Sequence, residues 1–241
     1  LALHTALYEN ARRGGRIMIY LYTGTPGSGK SYHAAEVVDR ALRRKVPVIA
    51  NFQVNLNPKK HKGEFVYIPT LEMNVDRFEQ YAREHFDSNK RDEHQGVIII
   101  DEAQIPFNSR DGLNKNRMRW LEFFSQHRHY FYDIILITQN DRMLDRQIRS
   151  LVETEYKHRK LTNYGAKGMF MIVVFHKMFV AVQYWYPIQE RVGSEFFNLR
   201  KSVCKLYDTF KKFDKPKEEQ SQEITDMKAR IAAFNQKGRS E

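Results

Sequence analysis

The sequence contains a single cysteine, Cys204, among 241 residues. One cysteine excludes a disulfide within the chain and any zinc site that needs several cysteine ligands. A reducing compartment such as the cytoplasm fits this composition, and we expect Cys204 to be a small, half-buried apolar residue.

Long hydrophobic runs are also lacking. The most apolar segment, MFMIVVFHKMFVAVQYWY at 169–186, is interrupted by His176 and Lys177 and is rich in β-branched and aromatic residues. This composition predicts two strands around a tight turn rather than a membrane-spanning helix.

Residues 1–17 lack the long apolar core of a secretory signal. Position 1 is Leu1, and a methionine, Met18, lies where the first predicted strand starts. We therefore expect 1–17 to be a disordered or non-native extension and the fold to begin at Met18.

The composition is that of a globular protein with a basic surface. Hydrophobic residues make up 41% of the chain, and 40 Lys and Arg against 29 Asp and Glu give a net charge of +11. This charge suits a polyanionic partner, either nucleic acid or the cytoplasmic face of a membrane, although it is equally compatible with a surface that only maintains solubility.

Predicted strands alternate with predicted helices through Gln139, which favours an α/β fold with a mostly parallel central sheet and helices on both faces. The predicted strands are 17–23, 47–51, 64–68, 97–100 and 133–139. The predicted helices are 29–44, 69–86 and 117–126. Antiparallel strands are predicted over 152–161, 168–175 and 178–188, and 208–241 is expected to be a charged helical or disordered tail.

The segment GTPGSGKS fits the P-loop (Walker A) pattern completely and lies between a predicted strand and a predicted helix. Its glycines let backbone amides fold closely around a β-phosphate at the helix N-terminus. Lys30 is expected to reach the β- and γ-phosphates, and the Ser31 hydroxyl to bind Mg²⁺. The predicted nucleotide-binding residues are Gly24, Thr25, Pro26, Gly27, Ser28, Gly29, Lys30, Ser31 and Tyr32.

Two adjacent acids, Asp101 and Glu102, follow the apolar run VIII and supply the second half of the predicted site. Asp101, at the strand tip, is expected to hold Mg²⁺ through its water shell, and Glu102 to polarise the attacking water. The two motifs together indicate hydrolysis rather than binding alone.

Other polar residues are candidates for further roles in the reaction. We expect the strand that ends at Thr138 to lie between the two motif-bearing strands, so Gln139 is either a sensor beside the γ-phosphate or a plain strand-end glutamine. Four arginines, Arg128, Arg142, Arg146 and Arg149, compete for the role of a finger that stabilises phosphoryl charge in a neighbouring subunit.

Three segments, MIYLYTGTPGSGKSYHAAEVV, VIIIDEAQIPF and SQHRHYFYDIILITQN, resemble the Zot family in their order and spacing. This family is named for zonular occludens toxin and includes the assembly ATPases of filamentous phages. The resemblance covers 18–207, which we take as the ATPase domain. The P-loop is shared by very many proteins, so HRHYFYDI is the more specific segment.

The resemblance implies a three-layer P-loop NTPase of the branch with an additional central strand and a catalytic glutamate, related to HerA/FtsK-like motors. It implies Mg-dependent ATP hydrolysis, with ATP bound at 24–31, Mg²⁺ at Ser31 and Asp101, catalysis by Glu102 and Lys30, and Gln139 as the sensor. It also implies an oligomeric ring in the bacterial cytoplasm, at the inner membrane, that drives assembly and export of inovirus particles. Phage coat or assembly proteins, single-stranded DNA and the inner membrane would be its partners.

A soluble HerA/FtsK-like DNA translocase or helicase-type ATPase of a mobile element is the main alternative. DEAQ is similar to helicase boxes, and the positive charge would bind phosphates. A thymidine-kinase-like enzyme is excluded because one cysteine cannot form the zinc site of those enzymes. A module that senses ATP without turnover is disfavoured by the intact Lys30, Asp101 and Glu102.

Overall fold

The structure, a computed structural model, describes residues 18–87, 94–108, 116–165, 173 and 178–207. These residues contain one eight-stranded sheet. Its strands are β1 Ile19–Thr23, β2 Val48–Ala50, β3 Phe65–Tyr67, β4 Gly96–Ile100, β5 Tyr132–Ile137, β6 Thr154–Lys160, β7 Phe179–Trp185 and β8 Glu190–Phe197. The α-helices are α1 Lys30–Arg43, α2 Val75–His85, α3 Asn116–Gln126, α4 Arg146–Ser150 and α5 Lys201–Cys204.

The strand order is β3-β2-β4-β5-β1-β6-β7-β8. The first six strands of this order are parallel, whereas β7 and β8 pair antiparallel. Strand β5 lies between β1, which precedes the P-loop, and β4, which precedes the acid pair. This placement confirms the predicted additional central strand.

Successive side chains of the parallel strands point to opposite faces of the sheet, so the buried apolar residues form two clusters, one on each face. Tyr20 and Tyr22 of β1 pack with the apolar side of α1, and Val203 near the end of the described chain joins the same cluster. Ile19 and Leu21 point the other way and pack in a cluster with α2, α3 and α4. The result is the predicted three-layer α/β architecture with a mostly parallel sheet.

The direction of β6 differs from the prediction. The segment 152–161 was expected to be antiparallel, but β6 runs parallel to β1, with Tyr20 opposite Thr154, and is antiparallel only to β7. The chain between Ile137 and Thr154 crosses one face of the sheet through α4, because Ile148 of that helix is buried there. Strand β6 therefore completes the parallel part of the sheet.

Smaller differences lie at the ends of elements. The helix predicted over 69–86 is a short 3₁₀ turn, Thr70–Glu72, followed by α2, which Asn74 caps by accepting from the Asp76 N–H at 2.9 Å. Strand β8 and helix α5 were not predicted. Cys204 is exposed, so its expected half-burial is wrong.

Three predicted features lie outside the described residues: the extension 1–17, the tail 208–241 and, apart from Val173, the strand 168–175. Within the part of the chain that the structure describes, no helix combines the length and apolar character needed to cross a bilayer.

Candidate nucleotide site

The loop 24–29 joins the carboxyl end of β1 to the N-terminus of α1, as the P-loop mechanism requires. Its start is tied to β5, because the Gly24 N–H donates to the Gln139 carbonyl at 3.3 Å. The loop then turns on itself through a hydrogen bond from the Ser28 N–H to the Thr25 carbonyl at 3.1 Å. The Ser28 hydroxyl is buried and has no hydrogen-bond partner among the described residues.

Lys30 folds back over this loop. Its ammonium donates to the Gly24 carbonyl at 2.5 Å and to the Thr25 carbonyl at 3.2 Å. Burial lowers the pKa of Lys30, while the charges of Asp101 and Glu102 raise it. The structure thus brings the two motifs to the same edge of the sheet, where the charges of both acids act on the Lys30 ammonium.

Asp101 is the residue after β4, and its backbone is hydrogen-bonded to Asn51, the residue after the neighbouring strand β2. The Asp101 N–H donates to Asn51 Oδ1 at 2.7 Å, and the Asn51 amide donates to the Asp101 carbonyl at 2.8 Å and to Thr70 Oγ1 at 2.9 Å. Burial raises the pKa of the Asp101 carboxyl, and the hydrogen bond from the Glu102 N–H, at 2.8 Å, lowers it. A buried carboxylate of this kind is stabilised by a nearby cation.

Glu102 has a left-handed backbone, with φ of 49°. This conformation costs a non-glycine residue about 1–2 kcal/mol, so the surrounding turn must hold it. The turn is anchored by the Ala103 N–H, which donates to the Ile137 carbonyl of β5 at 2.8 Å, and the Gln104 amide donates to Glu102 Oε2. The side chain of Glu102 is therefore fixed on the same edge of the sheet as Lys30.

Gln139 lies two residues beyond β5, next to the start of the P-loop, and its side chain is exposed. Its main-chain carbonyl already binds the Gly24 N–H. A cleft of about 390 Å³ opens beside it. The cleft is lined by Thr23, Gly24, Thr25, Gln139, Asn140, Asp141, Glu155, Lys157, His158 and Arg159. The position of Gln139 permits the predicted sensor role, which stays a prediction.

Two of the four candidate finger arginines, Arg128 and Arg149, each pair with an acid of their own chain. Arg128 is in the turn before β5, at the amino edge of the sheet, and donates to Glu153 at 2.8 Å. Arg149 of α4 lies 4.0 Å from Asp141. Either residue could serve another subunit only across an interface, so both roles stay predictions.

Tyr32 points away from the loop into the core. Its ring stacks on Phe197 with centroids 5.9 Å apart, and its hydroxyl donates to Glu36 at 3.0 Å and accepts from the Arg200 N–H at 2.9 Å. Because these contacts occupy the Tyr32 side chain, only the backbone of this predicted binding residue is available to a phosphate.

Two buried histidines connect α1 to β6 beneath the P-loop. His33 Nδ1 and His158 Nε2 are 2.8 Å apart, and His158 Nδ1 faces the carbonyls of Tyr156 and Thr23 at 2.9 and 3.2 Å. Since Nδ1 meets only acceptors, it carries the proton, and Nε2 accepts from His33. Burial lowers the pKa of His158 to about 3, so this histidine is a neutral structural group.

Sequence reasoning missed three residues that support the site. Asn51 could have been found, because it follows a predicted parallel strand whose carboxyl end shares the edge with the P-loop. Gln104 is the last residue of the DEAQ motif, and no role was predicted for it. Tyr207, whose hydroxyl reaches Asp101, had no local signal.

The family model described as Zonular occludens toxin (Zot) matches residues 18–212. The chain belongs to the Zot family. The matched range begins at the residue where the fold was expected to begin and includes the P-loop, the acid pair and the HRHYFYDI segment.

Curated relatives of this Zot-family chain come from filamentous phages. The chain is 28% identical over 142 residues to the Gene 1 protein of Enterobacteria phage I2-2, covering 54% of the chain and 37% of that protein. It is 24% identical over 139 residues to the Gene 1 protein of Enterobacteria phage M13, with 55% and 39% covered. A protein of Pseudomonas phage Pf3, provisionally named as an assembly protein, is 28% identical over 145 residues, with 56% and 40% covered. The matches span about two fifths of the length of these relatives.

Among solved structures, the N-terminal domain of zonular occludens toxin from Neisseria meningitidis is similar to this Zot-family chain with a TM-score of 0.54 at 21% identity. The similarity covers 80% of the chain and all of that domain. This match supports the fold derived above.

Proposed function

We propose that this chain is the ATP-hydrolysing motor domain of a filamentous phage assembly system, acting in the bacterial cytoplasm at the inner membrane to drive assembly and export of virions. The observation that carries the proposal is the meeting of Lys30, Asp101 and Glu102 at one edge of the sheet, in a chain of the Zot family. The Gene 1 relatives from filamentous phages support the phage assembly role.

The residues present fit ATP and Mg²⁺. The charges of Asp101 and Glu102 both act on Lys30, and two carboxylates against one ammonium leave a net negative charge that a divalent cation would balance. The buried Ser28 hydroxyl has no partner among the described residues, and Lys30 is occupied only by carbonyls of its own loop. These donors are available to phosphate oxygens.

The chain's own groups would act in three ways. The loop amides and Lys30 hold the phosphates of ATP, with Lys30 giving up its bonds to Gly24 and Thr25. Ser31 and Asp101 would hold Mg²⁺, which supplies charge neutralisation on the phosphates when bound. The Glu102 carboxylate accepts a proton from the attacking water and orients it, and Gln139 senses the γ-phosphate.

We expect nucleotide-dependent assembly into a ring, because an arginine finger in trans, for which Arg128 and Arg149 are candidates, acts only across an interface between subunits. Sedimentation of the protein at high concentration with Mg²⁺ and a non-hydrolysable ATP analogue should show a defined oligomer. Protein that remains monomeric under these conditions would rule out a finger in trans. The variants Arg128→Ala and Arg149→Ala then identify which arginine the oligomer needs for turnover.

An anionic membrane and single-stranded DNA are two partners that would each explain the net charge of +11. The first is expected of the assembly motor and the second of the alternative, a DNA translocase. If the chain is a membrane-associated assembly motor, vesicles that contain phosphatidylglycerol should stimulate phosphate release from ATP at least severalfold, and neutral vesicles should not. If it is a HerA/FtsK-like DNA translocase, single-stranded DNA should be the stimulant and anionic vesicles should have no effect.

This assay needs a matched control for contaminating ATPases. Lys30→Ala removes the ammonium while leaving the surface charge nearly unchanged, so its phosphate release should fall to background with either stimulant. Equal release by this variant and the native chain would show that the measured activity belongs to another protein.

A further inference from the structure

The end of the described chain returns to the nucleotide site. Helix α5 and the residues after it are anchored by Val203 and Leu206, which are buried against α1, and by the Asn55 N–H, which donates to the Leu206 carbonyl at 2.8 Å. The ring of Tyr207 then meets Phe52 edge to face, with centroids 5.0 Å apart. Tyr207 is thus held in place by packing before any ligand arrives.

The hydroxyl of Tyr207 contacts a residue that would hold Mg²⁺. It donates to Asp101 Oδ2 at 3.1 Å. Because the donor is a neutral phenol, this bond leaves the negative charge of the carboxylate available to a cation. Burial raises the pKa of Tyr207, and the charge of Asp101 raises it further, so the hydroxyl keeps the proton that it donates.

This hydrogen bond leaves lone pairs of Asp101 available to a metal ion. Asp101 Oδ1 accepts from the Glu102 N–H and Oδ2 from Tyr207, and each oxygen keeps a second lone pair. A carboxylate with two fixed donors cannot rotate, and partners of this kind orient metal ligands in known metal sites.

We propose that Tyr207 is a positioning residue for the magnesium ion of this site, which it serves by orienting the Asp101 carboxylate through its hydroxyl group. The inference rests on the proposed ATPase function, and it adds a residue that neither motif contains. It also links the ion to the segment Lys201–Cys204, which was not predicted as a helix.

The test is Tyr207→Phe, which removes the hydroxyl and keeps the ring against Phe52. Binding of the non-hydrolysable probe ATPγS is measured calorimetrically twice, once in EDTA and once in Mg²⁺, and the ratio of the two affinities gives the gain due to the metal. We expect the affinity in EDTA to stay within about twofold and the gain due to Mg²⁺ to fall about tenfold, the usual cost of losing a group that orients metal ligands.

Tyr81→Phe is the matched control. Tyr81 also donates its hydroxyl to a carboxylate, Glu64, at 2.6 Å, but this pair lies near β3 at the amino edge of the sheet. Its loss should leave both affinities unchanged. Thermal unfolding of both variants checks that the fold is intact.

Three results would overturn the proposal. An unchanged gain would mean that Tyr207 does not orient the Asp101 carboxylate, and an increased gain would mean that it competes with the ion. An equal fall of both affinities would mean that its role is structural only. If the native chain itself shows no gain from Mg²⁺, the proposed ATPase function fails, and that failure is visible before any variant is compared.

Discussion

Replacing Glu102 by glutamine should reduce ATP hydrolysis by at least about 100-fold, the usual cost of removing a general base, while ATP binding remains near the native value. Glutamine has the size of glutamate and can still pair with Gln104, so the left-handed turn at position 102 is retained. The amide cannot accept a proton from water at neutral pH. Phosphate release measures the loss, and calorimetry with ATP measures the binding that survives.

Glu84→Gln is the control for this change. It makes the same substitution on the exposed surface of α2, where Glu84 accepts from the Gln80 amide at 2.8 Å, and it should hydrolyse ATP at nearly the native rate. An Glu102→Gln protein that turns over as fast as the native chain would remove Glu102 from the catalytic assignment. A variant that also fails to bind ATP would point to a role in building the site.

Replacing Gly24 by alanine should be the most damaging change in the P-loop. Gly24 has φ of 137°, and an added Cβ would overlap the main-chain carbonyl of His158 and lie 2.7 Å from Ser28 Oγ. The His158 carbonyl belongs to a central strand and cannot move aside. Backbone strain and overpacking together should lower the free energy of unfolding by about 3 kcal/mol or more, and nucleotide binding should be lost.

Gly27→Ala measures the cost of a left-handed backbone without the steric overlap that occurs at Gly24. Gly27 also has a left-handed backbone, with φ of 72°, but nothing lies within 4 Å of the position of an added Cβ. Its substitution should therefore cost only about 1 kcal/mol. Both losses are measured by denaturant unfolding without nucleotide. Equal destabilisation by the two variants would show that the approach of β6 to the loop does not matter.

The local parts of the site could be predicted because each has a pattern that physical chemistry restricts. The P-loop needs glycines between a strand and a helix, and the acid pair follows a run of β-branched residues that only a buried strand accommodates. Both lie at carboxyl ends of parallel strands, so their meeting at Lys30 followed from the fold class. Asn51 obeys the same rule and was available to the same argument.

The other parts depend on contacts that no local pattern records. The direction of β6 is set by the crossover between Ile137 and Thr154, which is long enough to join parallel strands. Its helix, α4, is only five residues long and leaves little periodic pattern in the sequence. Tyr207 is placed by the burial of Val203 and Leu206, a tertiary effect at the end of the predicted ATPase domain, where no helix was predicted. The positions of Arg128 and Arg149 relative to a neighbouring subunit depend on an interface, which a single sequence does not specify.

The position of β1 has a consequence for how the protein is made. Among the described strands β1 is synthesised first, yet Ile19 pairs with Ile134 and Tyr20 with Thr154, so both of its neighbours are among the later strands. Such long-range pairing folds slowly and leaves apolar edges open until the later strands arrive. The GTPGSGKS motif therefore leaves the ribosome before both strands that flank β1, and the sheet edge that carries it is complete only after β5 and β6 have been translated.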